Sequence, residues 1–206
     1  MKKIIIVGAG GFGREAYYLI KDINKQKPTW EIKGFIDDFI PSLEDKHIAT
    51  PVISTIADYI PKEEDWFVMG IASPKGKDKV ATLLKEKGAR FATLIHPSAY
   101  VNETVEMGEG CVISGGSIGD CSKLGNFVHI AGSMIGQDVV IGDYSTTTGY
   151  VNVPTSTLGK RVFVGSHSVV LNDLADDVEV VTGSIVFHKV KTGCKVMGNP
   201  AKKIDL

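Results

Sequence analysis

Hydrophobic and polar positions keep one rhythm up to about His96 and another after it. In the first stretch, apolar runs of strand length end KKIIIVGAGG, WEIKGFIDD and DWFVMGIAS in glycines, acids or small residues. Between them lie segments of helical spacing. FGREAYYLIKDINK carries Phe12, Ala16, Leu19, Ile20 and Ile23 on one face, and KGKDKVATLLKEKG reads as a charged helix closed by Gly88. After Pro51, the segment STIADYI predicts a short helix with a Ser or Thr cap, and ARFATLIH a last strand. Strands alternating with helices predict an α/β domain with a parallel sheet over residues 1–95.

From His96 onward helical periodicity is gone. An aliphatic residue followed by glycine recurs instead, at Met107-Gly108, Ile118-Gly119, Leu124-Gly125, Ile135-Gly136, Ile141-Gly142, Leu158-Gly159 and Val164-Gly165. The separations are 11, 6, 11, 6, 17 and 6, each a multiple of six or one short of it. A hexad repeat predicts an all-β solenoid over 96–206, each hexad giving one short strand and one corner. One coil cannot bury its own interior, so several must stack. An ordinary β-sandwich is the bland alternative, and seven pairs in phase weigh against it. The ending GCKVMGNPAKKIDL closes the repeat without another hexad.

Charge narrows the function classes. With 23 basic and 24 acidic residues the net charge is −1, which offers nothing to nucleic acid or an anionic membrane. Three cysteines without C-x-x-C spacing, Cys111, Cys121 and Cys194, argue against a disulfide scaffold or zinc site and for a reducing cytoplasm. The start MKKIIIVGAGG passes directly into a glycine motif, which makes it a first strand rather than a signal peptide, and no apolar run is long enough to span a membrane.

Gly8-Ala9-Gly10-Gly11-Phe12-Gly13 fits G-x-G-x-x-G between a strand and a helix, where backbone N–H groups can approach a phosphate. Asp37 and Asp38, at the end of a second strand, are the candidates for a ribose hydroxyl. A dinucleotide domain usually needs a longer sheet than 95 residues provide. A nucleotide-linked ligand therefore fits better than NAD, and a tight turn with no ligand is the bland reading.

Together, IIIVGAGGFGREAYYLI, the junction LIHPSAYV, the hexads and the GNPAK ending resemble the PglD/NeuD family of sugar acetyltransferases, over essentially the whole chain. The resemblance implies a Rossmann-like domain followed by a left-handed parallel β-helix, assembled as a homotrimer and needing no metal. It implies acetyl-CoA between neighbouring solenoids and a nucleotide-activated amino sugar, expected to be UDP-linked, in the N-terminal domain, for bacterial glycan synthesis. Carried over by motif, Gly11, Phe12 and Gly13 face the nucleotide sugar's phosphates. Asp37 and Asp38 meet its base or ribose, and Gly70 and Ile71 line the same pocket. Ser166 and Gly183 fall where coil backbones contact CoA.

The family's base is a histidine just ahead of an IGD turn. Anchored on Ile141-Gly142-Asp143, that position holds Gln137, with Asp138 as the following acid. A second family histidine, near the thioester, falls at Thr146. Sliding the anchor to Leu124-Gly125-Asn126 puts Asp120 and His129 there, which agrees less well with the distance to the C-terminus. A glutamine cannot accept a proton at neutral pH. A neutral amine already has a lone pair and a hydroxyl does not, so N-acetylation survives such a change better than the O-acetylation of the sialic-acid branch. The competing explanations are orientation by Gln137 with Asp138 or water taking the proton, a base at His129 or His167, a binding protein without turnover, and an engineered substitution. An NAD-linked oxidoreductase rests on Gly8 to Gly13 alone, with no Tyr-Lys pair or cysteine to accompany it.

Overall fold

The computed structural model describes residues 1–39 and 43–205. Five strands form a fully parallel sheet: β1 (Lys2–Val7), β2 (Trp30–Ile36), β3 (Val52–Ser54), β4 (Asp65–Met69) and β5 (Arg90–Phe91), in the order β3-β2-β1-β4-β5. Helices α1 (Gly11–Gln26) and α2 (Pro74–Glu86) connect them. The continuous apolar run of β1 follows from burial on both faces. Ile4 and Ile6 pack with Ala16, Leu19 and Ile20 of α1, while Ile5 and Val7 pack with Ala81 and Leu84 of α2.

Two expectations are corrected. STIADYI is not a helix: Ser54 ends β3 and a turn follows, in which the Thr55 hydroxyl accepts the Asp58 N–H at 3.0 Å, a local bond that competes with helix formation. ARFATLIH is not one strand. Arg90–Phe91 pairs with β4 in the N-terminal sheet, but Leu94–Ile95 pairs with Val112 and Ile113 in the solenoid, so the domain junction falls inside the segment.

Beyond it the chain winds into a three-faced parallel solenoid. Face A carries Val112, His129, Thr146, Phe163, Glu179 and Lys195 in one outward column. Face B carries Tyr100, Ser117, Met134, Asn152, Val169 and Ile185. Face C carries Glu106, Lys123, Val140 and Thr157. The next residue along each strand points inward, giving a core of Ile113, Ile118, Leu124, Ile130, Ile135, Ile141, Val153, Leu158, Val164 and Val180. Every aliphatic–glycine pair of the repeat ends a strand, and its glycine turns the corner against the following coil. A Cβ on Gly136 would lie 2.0 Å from the Pro154 carbonyl oxygen, and one on Gly142 2.6 Å from the Gly159 carbonyl carbon. The solenoid ends with the antiparallel hairpin Lys195–Gly198 and Ala201–Ile204, in which the GNPAK segment forms the turn.

The N-terminal domain rests on the upper half of face A and the neighbouring C–A corner. Phe91 of β5 meets Phe127 edge-on at 4.8 Å, and Phe127 stacks on Tyr144 at 5.4 Å. His96 bridges the junction, its ring nitrogens 2.7 Å from the Ser98 hydroxyl and 3.3 Å from Asp22 of α1. The corner packing yields a prediction. Gly136→Ala should lower the unfolding free energy by about 1–3 kcal/mol in urea titration, from overpacking. Gly149→Ala, whose new methyl would meet only the Ala131 carbonyl oxygen at 3.8 Å, should stay near the native value.

Candidate functional site

The first half of the site is the loop between β1 and α1. Gly8 has φ 91°, and a Cβ on Gly13 would lie 1.9 Å from the Gly8 carbonyl oxygen, so only glycine lets the helix start this close to the strand. Gly70, after β4, comes equally close, since its Cβ would lie 2.6 Å from the Gly13 Cα. Ile71 packs beside Gly8. The structure therefore brings Gly11, Phe12, Gly13, Gly70 and Ile71 together, with Gly11 open to solvent at the N-terminus of α1.

Asp37 joins them in an unexpected manner. One carboxylate oxygen accepts the Ala9 N–H at 2.7 Å and the other the Phe39 N–H at 2.9 Å, so the side chain holds the glycine loop in shape. Asp38 is turned elsewhere and accepts the Ile56 N–H at 2.9 Å. Of the two acids, Asp37 alone is bonded to the loop.

The second half lies on face B. Gln137 and Asp138 occupy the B–C corner, both exposed, with Asp138 at φ 54° and its N–H on the Asp120 carbonyl at 3.0 Å. Gln137 lines a cleft of about 410 Å³ with Tyr100, Ser117, Gly119, Met134, Ile135, Gly136, Asn152 and Pro154. Tyr100 and Met134 are each 62 % exposed, an apolar surface the sequence did not single out. Ser166 and Gly183 stack at the opposite, A–B corner, where the Gly183 N–H donates to the Ser166 carbonyl at 2.9 Å. Beside them Tyr150 and His167 stack at 4.9 Å. Gln137 and the Ser166–Gly183 pair thus border the same exposed face from its two edges, and His167 lies on the far edge from Gln137.

Thr146 is not beside Gln137. It sits in the outward column of face A, fully buried under the N-terminal domain. Its hydroxyl donates to the Ala72 carbonyl at 2.8 Å and accepts from Lys77 Nζ at 2.8 Å. Lys77 also donates to the Phe127 and Ser145 carbonyls, both at 2.9 Å. Burial with no carboxylate partner pushes its pKa down to about 7. His129, one coil above Thr146, is buried with neither ring nitrogen hydrogen-bonded among the described residues, and it meets Phe12 edge-on at 4.5 Å. Burial holds its pKa well below the usual histidine range, so the ring is neutral. Sequence reading passed over Lys77 inside a charged helix, although Lys77, Ala81 and Leu84 share one helical face.

Residues 3–84 match the PglD N-terminal domain. The N-terminal part of the chain is thus similar to that domain. A UDP-N-acetylbacillosamine N-acetyltransferase of Bacillus subtilis (strain 168) is 27 % identical over 117 residues, covering 55 % of this chain and 51 % of the relative. The match thus spans about half the length of that curated relative. Among solved structures, the acetyltransferase domain of PglB from Neisseria gonorrhoeae FA1090 superposes with a TM-score of 0.89 at 20 % identity, covering 99 % of this chain and 100 % of that one. It has also been solved in complex with acetyl coenzyme A. PerB from Caulobacter crescentus, solved in complex with CoA and GDP-perosamine, superposes at 0.86 with 21 % identity over 100 % and 98 % of the two chains. The chain therefore shares the fold of those proteins over both of its domains.

The Asp37 geometry makes a prediction for the glycine loop. Asp37→Asn turns an NH₂ toward one of the two backbone N–H groups and should cost about 1–3 kcal/mol of unfolding free energy, read by urea titration. Asp38→Asn, on a bond outside the glycine loop, should leave hydrogen exchange at Ala9 as in the native chain.

Proposed function

We propose that this chain transfers the acetyl group of acetyl-CoA to the amine of a nucleotide-linked amino sugar. The observation that carries the reading is the joining of a PglD-type glycine-loop domain to a solenoid whose exposed face B is bordered by Gln137 on one edge and Ser166 and Gly183 on the other. The names of the similar proteins supply the substrate class, an amino sugar on UDP in one relative and on GDP in another. The nucleotide phosphates lie on the backbone N–H groups at Gly11, Phe12 and Gly13, where a helix N-terminus favours anions. Ile71 and Gly70 form the facing wall, and Asp37 keeps the loop open to the ligand. CoA runs along the A–B corner past Ser166 and Gly183.

Within one copy the glycine loop packs on face A while Gln137 lies at the B–C corner. A homotrimer that seats a second copy on face B covers Tyr100 and Met134 and carries the nucleotide pocket of one copy toward the cleft of the next. In that cleft the sugar amine attacks the thioester carbonyl, the C–N bond forms, and the thiolate leaves with CoA. The Gln137 amide accepts a hydrogen bond from the amine and orients its lone pair; the proton passes to water or to Asp138. Transfer without a strong base suits an amine better than a hydroxyl, which favours N-acetylation. A cytoplasmic setting supplies both substrates.

Thiol release from acetyl-CoA with a panel of UDP- and GDP-linked amino sugars tests this directly. The chain should release thiol with at least one of them, and Gln137→His should raise kcat by about 10²–10⁴-fold if general-base help is what the position lacks. Absence of thiol release from both proteins with every sugar would overturn the acetyltransferase reading.

A further inference from the structure

Face A of the solenoid does more than support the N-terminal domain. Its two covered polar positions, His129 and Thr146, are register neighbours on adjacent coils. Each touches a different loop of the candidate nucleotide pocket. His129 meets Phe12 of the glycine loop, with ring centroids 4.5 Å apart and planes at 85°. Thr146 donates its hydroxyl proton to the carbonyl of Ala72, which directly follows Gly70 and Ile71.

Those two loops already lock into one another, because a Cβ on Gly70 would lie 2.6 Å from the Gly13 Cα. A shift of either loop against the solenoid would therefore carry the other with it. The Thr146 oxygen is also one of the three acceptors around Lys77 Nζ, which fixes the direction in which its own proton points. With the lysine donating, the hydroxyl proton is free only for Ala72. His129 contributes shape rather than hydrogen bonds: its nitrogens are buried and unpartnered among the described residues, and its ring lies against Phe12. Keeping a polar ring unsatisfied at such a site is costly and marks the position as more than filler.

We infer that His129 and Thr146 are positioning residues of the nucleotide pocket, through which the solenoid sets the placement of both pocket loops. The inference rests on the nucleotide reading proposed above and deepens it. It gives Thr146 a different task from the cofactor contact that family resemblance implied. Thr146 acts on the nucleotide side through Ala72 and has no part in holding CoA. His129 acts through Phe12.

Thr146→Val keeps the shape and removes the hydroxyl, while Thr146→Ser keeps the hydroxyl. Calorimetric titration with UDP, GDP and CoA then separates the roles. Thr146→Val should weaken the nucleoside diphosphate that the native chain binds by about tenfold, the scale of one lost buried hydrogen bond, and leave CoA affinity unchanged. Thr146→Ser should restore nucleotide affinity. Unchanged CoA affinity also shows that the variant is folded. Without ligand, amide exchange over residues 70–77 should quicken in Thr146→Val and not in Thr146→Ser. His129→Phe, which retains an aromatic ring against Phe12, should bind nucleotide nearly as the native chain does, and His129→Ala should bind it more weakly.

Native nucleotide affinity in Thr146→Val would overturn the inference. So would a loss confined to CoA, which would return Thr146 to the cofactor. If the native chain bound neither UDP nor GDP, the nucleotide reading itself would fall, an outcome separate from equal binding by native chain and variant.

Discussion

A single ammonium group, Lys77 Nζ, lies where the two halves of the molecule meet. Two main-chain carbonyls, of Phe127 and Ser145, and the Thr146 hydroxyl surround it, and all three belong to the solenoid. Three acceptors match the three N–H bonds of a protonated lysine, so the group is satisfied in hydrogen bonding while meeting no counter-charge among the described residues. A charge buried this way is expensive. Much of the interface follows from accommodating it: the Phe91–Phe127–Tyr144 aromatic row excludes water on one side, and the Phe12–His129 contact does so on the other. The neutral state of His129 is partly a consequence, since burial and the nearby lysine both disfavour its protonation.

The geometry that results sets the proposed nucleotide site apart from the proposed site of acetyl transfer. The glycine loop, its Gly70 neighbour and the Asp37 brace face the upper coils of face A. The exposed cleft with Gln137 and the stacked Ser166–Gly183 corner border face B. Rigid stacking of coils through glycine corners fixes the distance between these regions, since backbone atoms of neighbouring coils leave no room for a Cβ at Gly119, Gly136 or Gly142. A scaffold of this kind offers little movement, which suits the proposed reaction, whose rate depends on placing an amine against a thioester.

Periodic features were legible in the sequence and solitary ones were not. The aliphatic–glycine pairs repeat because every coil solves the same packing problem, so they announced the solenoid. The glycine motif announced a tight strand-to-helix turn for the same steric reason at Gly13. Nothing periodic reports which of three faces the N-terminal domain covers, and so Thr146 could be aligned with a family position but not placed under Ala72 and Lys77. ARFATLIH looked like one strand because its apolar run continues while its pairing partner changes from β4 to the solenoid. Asp37 and Asp38 are adjacent and chemically identical, yet backbone N–H groups at Ala9 and at Ile56 gave them different work.

The dependence of the interface on one buried ammonium is best tested by the pH profile of unfolding. In the unfolded chain Lys77 keeps its proton up to about pH 10.5, and in the folded chain it releases it near pH 7. Between those values the unfolded state binds more protons, so stability must rise with pH. Urea-unfolding free energies of the native chain and of Lys77→Met, measured from pH 7 to pH 10, should differ in slope. The native chain should gain a few kcal/mol relative to the variant across the window. Parallel profiles would mean that Lys77 keeps its proton in the folded chain as it does in the unfolded one, so that its burial does not disfavour the charge, and the account of how the two domains are joined would be wrong.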